Sequence, residues 1–307
     1  MNYKYIFGPV PSRRFGYSLG VDIVPLKICT LNCLYCECGK TTTCTTERKD
    51  YIKIENIIDE LNDYLRNPPS IDVITVTGSG EPTLNSGIGK IINHIKSNYK
   101  YKTVLLTNGT LLFDKNVRDE IKLFDIVKIS LDAISDEVFR KINLPSKNLN
   151  NKIIIDGIIE FRKMYKGEIW IEIFIIPEVN NSKNELSLLK ESFDLIKPEK
   201  IQLNTVDRPT AFDNVKKASR IELEFIKEFF SPYDVEIIGK FNEKNIDNLI
   251  DESMLISMIK RRPLRLSDIE KISNYDKNQL KIVINNLKEK KIIKEKLLDT
   301  GKFYYIT

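Results

Sequence analysis

Cys29-Thr30-Leu31-Asn32-Cys33-Leu34-Tyr35-Cys36 sets three thiols at the spacing CxxxCxxC, inside a run from Gly16 to Lys40. An iron–sulfur cube takes thiolate ligands, and a loop this short can wrap three of them around one [4Fe–4S] cluster. Three ligands leave one iron open to something other than cysteine. Zinc accepts clustered thiolates as well. Structural zinc usually draws on two CxxC-type pairs far apart, whereas all five cysteines here fall between Cys29 and Cys44. With Cys38 and Cys44 as further ligands, a single closed zinc site stands as the alternative. A disulfide scaffold does not suit a chain of 307 residues without a signal-peptide pattern.

Outward from this loop the chain alternates strands and helices. Leu19, Val21 and Ile23 predict a first strand over Ser18–Val24, so the cysteine loop leaves a strand's carboxyl end. The β-branched run Asp72–Thr77 reads as a buried parallel strand. It ends in Gly78-Ser79-Gly80-Glu81-Pro82, where two glycines let the backbone approach a ligand closely. Further strands are expected at Thr103–Thr107, Ile126–Asp132, Glu168–Ile176 and Lys200–Asn204. Helical periodicity appears over Tyr51–Arg66, Ile153–Lys163 and Leu186–Ile196 among others. Six such units with short crossovers imply parallel strands in an α/β fold.

The polar residues at strand ends are the candidate site. Asn108 opens a turn after the third strand. Alternation puts Lys128, Ser130 and Asp132 on one side of the fourth; Asp132 either meets a ligand or caps the next short helix. Glu172 is a carboxylate in an apolar run, so it is expected to face the barrel interior and meet Lys128 or a ligand. Asn204 and Arg208 follow at the sixth strand. Arg13 and Arg14 either grip an anion or lock the lead-in segment to an acidic residue. His94 lies among isoleucines and reads as structural.

With Tyr35 as the aromatic before the third cysteine, the loop reads CxxxCxΦC and resembles the radical S-adenosylmethionine (SAM) enzymes. That resemblance implies a partial (β/α)6 barrel, one [4Fe–4S] cluster on Cys29, Cys33 and Cys36, and SAM chelated at the open iron through its amino and carboxylate groups. It implies reductive cleavage of SAM to a 5′-deoxyadenosyl radical, with an electron donor such as flavodoxin or ferredoxin. The family's Gly-Gly-Glu segment appears as Ser79-Gly80-Glu81, its first glycine displaced to Gly78, and by resemblance Glu81 holds the SAM amino group. Tyr35 then packs beside the cluster, against adenine, and Asn108, Ser130, Asp132 and Asn204 are further cofactor contacts. Glu172, Arg208 and Cys38 are the candidates for catalysis. The run Phe7–Lys40 is similar to small radical SAM proteins grouped with the wyosine-synthesis tRNA enzymes, although no second three-cysteine loop is evident.

The chain divides into a barrel over 1–240, a linker over 241–250 and a tail over 251–307. The tail reads as a winged helix-turn-helix domain: helices, then a hairpin around Asp299-Thr300-Gly301. The net charge is +5, and the tail holds 13 Lys and Arg against 8 Asp and Glu while the rest holds 35 of each. Its longer helix presents Lys277, Lys281, Asn285 and Lys288, a face that suits phosphates. The other readings are a protein- or peptide-docking module, or a cover for one barrel face. Few residues precede Ile6 and no apolar run is long enough to span a bilayer, so a cytoplasmic protein without a membrane partner is expected. Four functions follow: a radical enzyme modifying RNA, favoured by the tail; one modifying or activating a peptide or protein; one acting on a small molecule; or a non-catalytic iron–sulfur DNA-binding regulator.

Overall fold

The computed structural model describes residues 3–12, 15–238, 252–270 and 277–306. In chain order the barrel strands and helices begin with β1 (Ile6–Ser12), β2 (Gly16–Asp22), the two-residue strands β3 (Ile28–Cys29) and β4 (Thr43–Cys44), and α1 (Ile54–Tyr64). Then come β5 (Val73–Thr77), α2 (Ile88–Asn98), β6 (Lys102–Thr107), α3 (Lys115–Ile121), β7 (Ile126–Ser130), α4 (Asp136–Asn143) and α5 (Asn151–Met164). The barrel ends with β8 (Glu168–Phe174), α6 (Lys183–Ile196), β9 (Lys200–Asn204), α7 (Arg220–Phe229) and β10 (Val235–Ile237).

One sheet of eight strands runs in the order β1-β2-β5-β6-β7-β8-β9-β10. Every pair is parallel except β1 with β2. The outward strand faces carry Leu19, Ile74, Leu105, Ile129, Ile171 and Leu203, all fully buried under the helices. Inward, Val73, Val104, Ile126 and Trp170 fill the end away from the cysteine loop, and Phe15 stacks on Trp170 with ring centroids 5.0 Å apart. The sheet is a partial barrel, with β1 and β10 as its two edges.

β1 is the element the sequence hid. Gly8, Pro9 and Pro11 look like breakers, yet proline is tolerated on an edge strand, where a missing N–H faces no neighbour. The register shifts between Phe7 and Val10, and Gly8 takes φ +98° there; a Cβ on it would stand 2.7 Å from the Val10 nitrogen.

The small domain comprises α8 (Glu252–Arg261), β11 (Leu264–Arg265), α9 (Leu266–Glu270), α10 (Lys277–Glu289), β12 (Ile293–Leu298) and β13 (Gly301–Ile306). Helix, strand, two helices and a hairpin, with sheet order β11-β13-β12, make a winged helix-turn-helix. Its own core includes Leu255, Ile259, Leu280, Ile284, Leu287 and Tyr304. Val10 of β1 packs against that core, so the domain sits on the barrel's open flank. Arg13, Arg14 and 241–250 lie outside the described residues. Among the described residues no helix is long and apolar enough to cross a membrane.

Candidate active site

The cysteine loop is held by its backbone before any ligand is considered. The last carbonyls of a helix have no partner within it. Those of α4 take the loop: Asn32 N–H donates to the Asn143 carbonyl and Leu34 N–H to that of Ile142, both at 2.9 Å. On the other side Cys29 pairs with Cys44 in the β3–β4 ladder, and Thr45 N–H returns to the Cys29 carbonyl at 2.9 Å. The loop therefore stands at the carboxyl ends of the barrel strands.

Burial pushes the Cys29 and Cys33 thiols well above their ordinary value; Glu81 adds to this at Cys29 and Asp132 at Cys33. Cys36 goes the other way, because Cys38 hydrogen-bonds to it. The Asn143 amide donates to Cys33 Sγ at 3.3 Å and the Asn108 amide lies 3.6 Å from Cys29 Sγ. Among the described residues no three Cys, His, Asp or Glu side chains close on a single-ion position. The donor set fits a cluster instead: three soft thiols on one loop, with amide N–H groups turned toward two of the sulfurs.

Two buried carboxylates stand beside this loop, Glu81 and Asp132. Glu81 Oε1 accepts from Thr83 N–H (3.0 Å), Thr83 Oγ1 (2.6 Å) and Thr107 Oγ1 (2.6 Å), and Oε2 accepts from Asn108 N–H (2.8 Å). Burial raises its pKa against the pull of those donors. Gly80 lets its loop meet the cysteine loop, since a Cβ would lie 1.8 Å from the Ile28 carbonyl oxygen. Gly80→Ala is expected to destabilise the fold by about 3 kcal/mol, the upper range for overpacking, read as a lowered thermal midpoint. Ser79 Oγ donates to Asp22 Oδ2 at 2.6 Å, and Gly78 continues the same turn.

Asp132 lies two residues beyond the end of β7 at Ser130, and α4 is capped by Ser135, so the capping alternative for Asp132 does not hold. Its carboxylate instead accepts from Tyr35 Oη (2.5 Å), Asn143 Nδ2 (2.7 Å) and Phe174 N–H (2.8 Å). Tyr35 in turn stacks flat on Phe174, centroids 3.9 Å apart. Burial raises the Asp132 carboxyl to about 6.

Deeper in the barrel, Lys128 Nζ meets Glu172 Oε2 at 2.6 Å and Asn204 Nδ2 donates to Glu172 Oε1 at 3.3 Å. Ser130 stands opposite Glu172 in the β7–β8 register.

Arg208 is a joint between domains. It reaches Glu37 in the cysteine loop (3.5 Å), Asp268 of α9 (3.1 Å) and the Pro263 carbonyl (2.5 Å). Burial opposes its charge, but Glu37, Asp268 and Asp207 outweigh it and raise its pKa. Arg261 of α8 does similar work: it pairs with Asp22 at 3.2 Å and lies over the Phe7 ring at 4.5 Å. Its carbonyl accepts from the Cys38 thiol at 3.1 Å.

These contacts enclose a cavity of about 1250 Å³ between the barrel's open flank and the small domain. Cys38, Ser79, Asn204 and Arg208 line it on the barrel side, Met258 and Arg265 on the other. Lys281 is exposed on α10, and Lys288 pairs with Glu295 at 2.7 Å; neither lines the cavity. Asp22, Asn143, Phe174 and Arg261 were not anticipated. Asp22, ending a strand just before the cysteine loop, carried a signal; Asn143, 110 residues from Cys33, carried none.

A family model described as the Radical SAM superfamily matches residues 23–188. A UPF0026 protein of Helicobacter pylori is 38% identical over 303 residues, covering 96% of each chain. A Brachyspira hyodysenteriae protein named GTPase Obg is 34% identical over 301 residues; the match takes in 96% of this chain but 44% of that protein, so this chain spans less than half of that relative. SuiB of Streptococcus suis, solved with S-adenosylmethionine bound, superposes with a TM-score of 0.55 at 16% identity over 72% of this chain and 50% of that one. This last likeness speaks for the fold. With the cysteine loop at the strand ends and the model spanning most of the barrel, the chain belongs to the radical SAM superfamily, alongside the UPF0026 proteins, and carries its catalytic domain.

Proposed function

We propose that Cys29, Cys33 and Cys36 hold one [4Fe–4S] cluster with SAM at its open iron, and that the enzyme modifies a peptide or protein segment entering the flank cavity. When bound, cluster and SAM supply the 5′-deoxyadenosyl radical that takes a hydrogen atom from substrate. The chain supplies the rest. Asp132 fixes the loop and Glu81 stands beside it, the small domain shields the cavity from solvent, and the Lys128–Glu172–Asn204 group offers polar contacts toward SAM or substrate.

The observation that carries the macromolecular reading is the cavity. At about 1250 Å³ it exceeds the ~300–1,000 Å³ usual for small-molecule sites. The peptide reading is favoured over RNA on two grounds. SuiB, one of several structural neighbours, has also been solved with its precursor peptide SuiA bound. Arg261 and Arg265 of the tail face partners in the barrel, Asp22 at 3.2 Å and Asp207 at 3.5 Å, and Arg208 of the barrel reaches Asp268 of the tail at 3.1 Å. Lys281 and Lys288 of α10, two of the residues on which the RNA reading rested, do not line the cavity, and the Lys277 side chain lies outside the described residues.

The test is anaerobic reconstitution and reduction with SAM present, followed by addition of cell extract from which small molecules have been removed. Formation of 5′-deoxyadenosine should rise with extract, survive ribonuclease and disappear after protease digestion. Stimulation that survives protease and is abolished by ribonuclease overturns the peptide reading in favour of RNA.

A further inference from the structure

We propose that Asn108 and Asn143 are positioning residues that raise the reduction potential of the cluster, each by aiming an amide N–H at a ligating sulfur. The inference rests on the cluster assignment above. Both amides are held in one orientation. Asn108 Oδ1 accepts from Thr110 N–H at 3.0 Å and from Thr110 Oγ1 at 2.7 Å, so its NH₂ must face the other way, toward Thr30 Oγ1 (2.8 Å) and Cys29 Sγ (3.6 Å). Its backbone N–H is pinned by Glu81. Asn143 gives one hydrogen to Asp132 Oδ2 at 2.7 Å and the other to Cys33 Sγ at 3.3 Å. The Asn143 amide thus bridges a buried carboxylate and a sulfur, and the Asn108 amide reaches a sulfur from a backbone that Glu81 holds.

The physical effect has one sign. Reduction adds negative charge that is shared with the thiolates. An N–H dipole pointing at sulfur stabilises that charge, while a carboxylate nearby opposes it. Glu81 already acts on Cys29 and Asp132 on Cys33, and each amide offsets that field at its sulfur. Removing the amide loses the bond and leaves the carboxylate's field without that offset, so the cluster becomes harder to reduce.

The experiment compares full-length reconstituted Asn143→Leu and Asn108→Ala with wild type by redox titration followed by electron paramagnetic resonance. Asn180→Ala is the control, because Asn180 is bound to the Asp132 and Phe174 carbonyls in the same neighbourhood but touches no sulfur. The reduction equilibrium should shift about tenfold toward the oxidised cluster in each asparagine variant, which is about 59 mV for a one-electron couple, and stay at the wild-type value in Asn180→Ala. After exchange into D₂O, a deuteron coupling to the reduced cluster should be present in wild type and weakened in each asparagine variant. Two independent positions guard against one variant failing to assemble. Wild-type potentials and couplings in an asparagine variant that holds a full complement of iron and sulfide overturn the inference alone. Iron and sulfide retained by a Cys29→Ala/Cys33→Ala/Cys36→Ala chain overturn the cluster assignment itself.

Discussion

Cys33→Ala, like Cys29→Ala and Cys36→Ala, is expected to lose its iron and to form no 5′-deoxyadenosine above a protein-free control, while Cys44→Ala keeps both. A cluster on three thiolates has no spare ligand, so each loss is complete rather than partial. Cys44 is exposed and its thiol reaches only the Thr30 carbonyl, at 3.5 Å. Its removal should leave the loop in place, because the β3–β4 ladder that holds it is made by backbone. Iron analysis and product chromatography on the four purified variants decide the matter. Equal loss of iron in Cys44→Ala would point to a larger thiolate set, and zinc in place of iron in the wild-type protein would point to the closed zinc site.

Asp132→Ala is the second large effect. It strands three donors, the Tyr35 hydroxyl, the Asn143 amide and the Phe174 N–H, in a buried site. At roughly 1–3 kcal/mol for each unsatisfied buried group, the expected loss is on the order of 3–9 kcal/mol, read by chemical denaturation. The loss should depend on pH with a definite sign. The folded Asp132 carboxyl sits near about 6, above the ordinary ~3.9 of the unfolded chain. Between those values the folded state keeps a proton that the unfolded state has released, so this group's contribution to stability is full below the lower value and declines as pH rises through the upper one. The deficit of Asp132→Ala should therefore be larger at pH 4 than at pH 8. A deficit that grows with rising pH would contradict this account.

The six parallel strands and the cysteine loop were legible because both are local signals. β-branched runs of five or six residues mark buried strands, and the thiol spacing lies within eight residues. Glu172 was also legible as a buried carboxylate in need of a partner, and it meets Lys128. What the sequence concealed was long-range. β1 hid because its prolines are harmless only at an edge, and edge position is a property of the assembled sheet. The partners of Asp132, Tyr35 and Phe174, lie 97 and 42 residues away, and nothing local announces them. Nothing near Arg208 in the sequence announces that one of its partners, Asp268, lies in another domain 60 residues on. The lysines of α10 drew attention to charge at the tail, while the arginines of α8 and β11 make its contacts with the barrel.

The seat of the small domain on the barrel's flank also orders events in time. The hydrogen bond from Cys38 to Arg261 joins residues 223 apart in sequence, and closing so long a loop is costly in chain entropy. On a ribosome the cysteine loop emerges and can be enclosed by β2 to β9 long before α8 exists. For that interval β1 is a bare edge and the cavity is a trough open to the medium. Until α8 is made, Cys38 lacks its carbonyl partner and Asp22 its Arg261 guanidinium, so this flank takes its final form only when nearly the whole chain is available.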